Sequence, residues 1–329
     1  MKKNECLKIS LINKISRMGD FYKKILESGE KKGKYNSKKR KMRFLSRVIF
    51  YLPQSINIAN YIMNHKYLNS KVFDYPVLPG KIQRPYLCNF FGVNKRLKSI
   101  KENYNFIDCF FPKEISKKLY KDHSLELLEL KGNNEEAFKI HMEMYSDFDK
   151  EGEISLKILN SRGVSLSKVT FSFIREKGIH TLFIGGIQGP RKMDSIKDCM
   201  FDDKDYIKEA TKSLAGLFPK RILLEAIYAI GKCLDNKVRK ICVGNNTHVY
   251  ISKRYENKKV INANYDEFLL TINAEKLDSG LWELPPELVR KDILDVPSKK
   301  RSEYRKKYVI LDEINASIFE KFSKKIELY

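Results

Sequence analysis

The chain has 329 residues, a hydrophobic fraction of 42% with 19 Phe and 18 Tyr, and a formal net charge of +23. This length and apolar content suffice for a packed core in one large or two moderate domains, and they exclude global disorder. Six cysteines, at 6, 88, 109, 199, 233 and 242, form no CxxC pair, which argues for reduced thiols in a cytosol and against a zinc site or disulfide framework.

The charge is uneven. Residues 1–50 hold sixteen Lys/Arg against four Asp/Glu, a net of +12. Lys8, Asn13 and Lys14 interrupt the apolar residues of the N-terminus, so no secretory signal is expected. Residues 1–43 read as a flexible or weakly helical basic arm, with its densest run at 31–43 (KKGKYNSKKRKMR). Such a run is a solvated tail or, through 31–47, a contact for an anionic partner, either a membrane surface or RNA. Residues 44–150 read as a mainly helical region. Within it, Phe44 to Tyr67 is expected to form two short helices meeting at Pro53. Pro53, Gln54, Asn57 and Asn60 cut the apolar stretch Val48–Met63, so it cannot span a bilayer. The stretch 70–113 reads as irregular packing around a helix or two. Ile115 to Tyr145 reads as helical, with a last helix starting at Asn133-Asn134 ahead of Glu135-Glu136.

From 151 to the end the pattern is that of an α/β core. Glu153–Leu159, Val164–Ile174 and Thr181–Ile187 alternate polar and apolar residues between short turns, which is an antiparallel meander. Tyr206–Leu217 and the nearly all-apolar Ile222–Leu234 are helices separated by Pro219. Val238–Val243 is a fourth strand, parallel to the third because a helical crossover joins them. Asn262–Asn273 reads as a helix. Ser298 is expected to cap a long amphipathic helix striped by Tyr304, Tyr308, Leu311, Ile314, Ile318 and Phe322. The expected fold is therefore α/β (α+β), a helical N-terminal part followed by a mixed sheet.

Two strand ends carry the chemistry-bearing residues. The third strand runs into Gly185-Gly186-Ile187-Gln188-Gly189-Pro190-Arg191. Bare backbone there is either a closely packed bulge or a loop whose N–H groups face an anion. The fourth ends in Gly244-Asn245-Asn246-Thr247-His248-Val249-Tyr250, at the carboxyl end of a parallel strand where open α/β sheets hold ligands. His248 is either a packed or capping residue or a base. Glu225, inside an apolar helix, either pairs with Arg221 four residues earlier or faces the site as a base. No metal-spaced cluster of His, Cys, Asp or Glu is present in the sequence.

The ordered runs LFIGGIQGPR, EATKSLAGLFPKRILLEAIYAIGKCL, ICVGNNTHVYISKRY, NANYDEFL and VPSKKRSEYRKKYVILDEI resemble the VirK/YbjX family of enteric bacteria over about residues 45–320. The likeness implies a cytoplasmic accessory protein linked to virulence, to surface levels of an outer-membrane autotransporter and to resistance against cationic peptides. The Lys-, Asn- and Ile-rich wording fits the AT-rich coding of a plasmid. The order of meander, glycine turn, helix, parallel strand, Asn and Tyr is also similar to the acyl-CoA-dependent N-acyltransferase (GNAT) family. That likeness implies an acyl-CoA or other acyl donor held by Gly185, Gly186, Gln188 and Gly189, or by Lys220 and Arg221, together with Asn245 or Asn246. It implies His248 or Glu225 as base and Tyr250 or Tyr255 as general acid. A post-transcriptional nucleic-acid-binding regulator is the alternative from a different class.

Overall fold

In a computed structural model of the chain, residues 2–145, 147–190, 203–235, 237–255 and 264–323 are described. Arg191 and the expected helix start at Asn262 lie outside them. The chain divides into two compact units, Met1–Tyr86 with Phe90–Lys101, and Leu87–Asn89 with Glu102–Tyr329.

The first unit is helical. It comprises α1 (Lys2–Lys31), α2 (Lys38–Phe50), α3 (Leu52–Asn64), α4 (Leu68–Lys71), a 3-10 turn at Leu78–Gln83 and the start of α5 (Val93–Phe110). Where a basic arm was expected, α1 buries Phe21, Tyr22 and Ile25. These lie at helical spacing on one face, and α2 adds Phe44 and Val48 to the unit's core. The Tyr22 hydroxyl donates to the Ser55 carbonyl of α3 at 3.0 Å. Ser37 caps α2 by accepting the Arg40 N–H. The chain turns between Phe50 and Leu52, with Pro53 in the first turn of α3, as the expected helix junction requires.

The second unit is built on one eight-stranded mixed sheet of order β1-β2-β3-β4-β5-β6-β8-β7. Its meander is β3 (Ile154–Leu159), β4 (Ser165–Glu176) and β5 (Ile179–Gln188), antiparallel as expected. Two strands stand ahead of it: after α6 (Lys113–Asp122) come β1 (Ser124–Lys131) and β2 (Ala137–Met144). The helix expected over Ile115–Tyr145 is thus a short helix and a hairpin, and Asn133–Glu135 is the 3-10 turn of that hairpin. Then α7 (Asp203–Ser213) and α8 (Pro219–Leu234) form the crossover to β6 (Arg239–Cys242), which pairs with β5 in parallel. After α9 (Tyr265–Leu270), the two-residue strands β7 (Glu275–Lys276) and β8 (Trp282–Glu283) close the edge, and α10 (Ser298–Phe322) ends the fold. The α10 stripe Leu311, Ile314, Ile318 and Phe322 is buried, while Ser298 begins the helix without capping it through its side chain.

Helix α8 packs on β3, β4 and α10, which explains why Ile222 to Gly231 is buried all round. On α5, Phe106 stacks on Phe173 of β4 with centroids 4.1 Å apart. The Asn103 amide oxygen accepts the Phe173 N–H at 3.0 Å. Burying a side chain such as Phe171, Phe173 or Phe183 fully contributes about 1.5–3 kcal/mol. This core holds the C-terminal ends of β5 and β6 in fixed relation.

Candidate functional site

Strands β5 and β6 pair from Thr181↔Arg239 to Ile184↔Cys242 and share one more hydrogen bond, from the Val243 N–H to the Ile184 carbonyl. Beyond it they part. β5 continues to Gln188, while the segment after β6 turns at Gly244–Thr247. The Ile187 N–H donates to the Tyr265 hydroxyl at 3.1 Å. A side chain thus replaces a strand as the partner of this backbone group.

The glycines belong to the same opening. Thr170 pairs with Gly186 and Phe171 with Ile184, which leaves Gly185 as a bulge on β5. A Cβ on Gly185 would collide with the Glu151 backbone carbonyl, and one on Gly186 with the Glu151 carboxylate. Of the two expected readings, the closely packed bulge describes Gly185 and Gly186, and the group packed there is acidic. A Cβ on Gly189 would meet nothing within 4 Å.

Four polar side chains meet in the gap. The Gln188 amide nitrogen donates to Glu151 Oε1 at 3.0 Å and lies 3.3 Å from the Tyr265 hydroxyl. His248 Nε2 is 3.6 Å from Glu151 Oε1 and 3.4 Å from the Tyr265 hydroxyl. Its Nδ1 accepts the Tyr250 N–H at 3.3 Å, which caps the 3-10 turn Val249–Ile251. With Nδ1 an acceptor, the neutral ring carries its proton on Nε2, toward Glu151 and Tyr265. Glu151 and His248 are wholly buried and Tyr265 nearly so. Burial, and next the charge of Glu151, raises the Tyr265 phenol well above its ordinary pKa, against the opposing Ile187 N–H. Tyr265 therefore stays protonated at neutral pH.

The remaining sequence candidates divide into supports and bystanders. Asn245 holds α9 in place: its side-chain oxygen accepts the Tyr265 N–H at 2.7 Å, and its amide nitrogen donates to Asn264 at 2.9 Å. Asn246 is exposed, and its carbonyl accepts from the Asn89 side chain. The Tyr250 ring sits beside His248 and under the Lys150 ammonium, which lies 5.1 Å from its centroid and 5.0 Å from that of Tyr255. Glu225 is brought to neither His248 nor the glycines. Its carboxylate pairs with Arg221 at 3.5 Å and Arg290 at 3.2 Å, and accepts from Asn315. Arg221 is committed to that pair, while Lys220 lies over the Phe268 ring of α9. His180 is held by Asp235 and Arg175, with its ring edge-on to Phe106 and Phe110. Burial pushes the Cys242 thiol up, so it stays protonated beside the site.

Glu151 and Tyr265 were not among the sequence candidates. The one signal for Glu151 is Gly152: a Cβ there would collide with Phe171 of β4, so the chain lies flush on the sheet where it delivers the carboxylate. Tyr265 directly follows Asn264, which caps α9 by accepting the Glu267 N–H.

Asp266 fastens the frame, accepting from the Asn245 N–H at 2.7 Å and from Trp282 and Lys276 at 3.1 Å each. Burial pushes its carboxyl up, but these donors outweigh it and hold the group below the ordinary Asp range. A depressed carboxyl stabilises the fold above its unfolded pKa, and that contribution is lost as pH falls through the folded value. The urea midpoint is therefore expected to drop as pH goes from about 5 to about 3, and Asp266→Asn should flatten that drop. An unchanged slope in the variant would show that Asp266 is not one of the groups responsible.

Among the described residues, no group of three or more His, Cys, Asp or Glu is placed to hold a metal ion. No described helix is long and apolar enough to cross a membrane. A family model described as "Protein of unknown function (DUF535)" matches residues 33–320. The chain is similar to "Uncharacterized protein YbjX" of Escherichia coli (strain K12), at 32% identity over 277 residues, covering 83% of this chain and 81% of that protein. It is also similar to an "Uncharacterized protein" of Haemophilus influenzae, at 28% identity over 229 residues, covering 69% and 72%. No solved structure matches the chain.

Proposed function

The chain belongs to the DUF535 family, and on that premise we propose that it is an accessory factor of the bacterial envelope, working from the cytoplasm through an acyl-transfer centre. The accessory role is supported by the likeness to VirK/YbjX proteins. It would assist production or surface display of an outer-membrane virulence factor and the resistance of the envelope to cationic peptides.

Acyl transfer is supported by one observation above all: where parallel β5 and β6 part, the gap holds a carboxylate, a protonated phenol and an imidazole together. An acyl thioester such as acyl-CoA is the substrate. An amine or hydroxyl attacks its carbonyl, the new C–N or C–O bond forms and the C–S bond breaks. The nucleophile's proton passes to Glu151, and the Tyr265 phenol gives its proton to the departing thiolate. Gln188 and His248 orient the carboxylate. The Tyr265 phenol takes the role of general acid that the likeness to N-acyltransferases implied for Tyr250 or Tyr255. Glu225 has no part in it, since its arginine partners already neutralise it. Lys220 and the open backbone at Gly189 would face the donor's phosphates.

Calorimetric titration of the full chain with acyl-CoA of graded chain length tests the assignment. Saturable binding is expected, with an optimum chain length. No heat of binding at millimolar ligand would overturn it.

A further inference from the structure

Residues 31–50 contain nine Lys/Arg and no Asp or Glu. Helix α2 takes up most of this stretch and has two distinct faces. Phe44 and Val48, four residues apart, turn into the core of the first unit. Met42, Leu45 and Ile49 follow the same helical spacing along another line, and they remain in solvent. Met42 is 63% exposed and Ile49 71%. Phe50, 76% exposed, and Leu52 at the start of α3 extend this apolar surface. Lys39, Arg43 and Arg47, again at spacings of four, run beside it, with Lys38 and Arg40 at the helix start. Lys41 is the exception, turned back to an ion pair with Glu30.

A stripe of large apolar side chains beside a row of cations, on a helix that itself carries no acid, is unfavourable in water and complementary to one kind of surface. We propose that the exposed face of α2 docks on an anionic lipid bilayer, lying in its interface. Met42, Leu45, Ile49 and Phe50 enter the boundary between headgroups and acyl chains, while Lys39, Arg43 and Arg47 reach the lipid phosphates with their long stems along the apolar surface. A polyanion such as RNA would use the cations but leave the apolar stripe in water. A protein partner would not need this row of cations without acids between them. The proposal is independent of the acyl-transfer assignment, because every residue named lies in the first unit.

Sedimentation of the full chain with vesicles tests it, using phosphatidylcholine alone and phosphatidylcholine mixed with phosphatidylglycerol. The wild-type chain is expected to partition at least about tenfold more strongly onto the mixed vesicles. Ile49→Gln with Phe50→Gln should lose about tenfold in that partition with every cation intact, because the apolar contact is gone. Both positions are exposed, so folding is preserved. Lys39→Gln with Arg43→Gln should reduce the preference for phosphatidylglycerol. Failure of the wild-type chain to bind mixed vesicles overturns the proposal. So does wild-type binding by the Ile49→Gln, Phe50→Gln variant, which would mark the surface as a site for a soluble polyanion.

Discussion

Gly185→Ala is expected to lower stability by about 3 kcal/mol, the upper part of the range for forcing atoms into a packed interior. In a unit of this size that corresponds to a fall in Tm of roughly 6–12 °C. The size of the effect follows from what the new methyl would meet. At Gly185 it meets the Glu151 backbone, which is fixed on one side by the Phe148 carbonyl and on the other by Gly152 lying flush on β4. Gly152 cannot retreat without disturbing the Glu153 N–H to Phe171 carbonyl bond next to the β3–β4 pairing. Gly186→Ala is expected to cost less, about 1–3 kcal/mol, because its methyl meets the end of the Glu151 side chain rather than backbone. Gly189→Ala serves as the control, since nothing lies within 4 Å of a Cβ there. Thermal and urea unfolding of the three variants read the ranking directly. Equal tolerance at 185 and 189 would mean that Glu151 does not press against β5.

Tyr265→Phe separates support from chemistry. Losing the hydroxyl leaves the Ile187 N–H without its acceptor in a buried place, at a cost of about 1–3 kcal/mol. Gln188 keeps its bond to Glu151, so the rest of the cluster stays in position. If the phenol is the general acid, thiol release from acyl-CoA should also fall by roughly 10²–10⁴. Tyr228→Phe is the comparison. Its hydroxyl donates to the Pro285 carbonyl at 2.8 Å, away from the cluster, so it should lose stability and keep its rate. A Tyr265→Phe protein that is less stable but unaltered in turnover would leave the phenol a purely structural role.

The legible part of the fold was the part whose patterns agree with local preference. Strands β3 to β5 are short runs rich in Ile, Leu, Phe and Ser between tight turns, and α8 is apolar on nearly all sides, as a crossover helix buried between sheet and α10 must be. The hairpin β1–β2 escaped because its residues prefer helices. SLELLELK and AFKIHMEM are made mostly of Leu, Glu, Lys, Met and Ala. In β1 a register shift between Glu126 and Leu128 holds Leu127, so Leu127 and Leu128 are buried side by side, which breaks the alternation that would have marked a strand. In β2 the alternation is intact, with Phe138, Ile140, Met142 and Met144 buried. Period outweighed propensity there.

The candidate site was half legible for a related reason. The two strand ends stand out because glycines and amides at the carboxyl ends of adjacent parallel strands have few local explanations. The acid that fills the gap is different in kind. Glu151 lies more than thirty residues before the glycines it packs against, and no local spacing links the two. Glu225 drew notice as a carboxylate in an apolar helix, and its partner Arg221 was visible at four residues' distance. Arg290 was not, because it arrives from a segment beyond β8.

Amide hydrogen exchange of the full chain, with and without saturating acyl-CoA, tests most directly whether the donor binds where β5 and β6 part. Slower exchange at 185–189 and 245–250 is expected on adding the ligand, with α2 unchanged. Bound ligand with no change in either segment, or with changes only elsewhere in the chain, would contradict it.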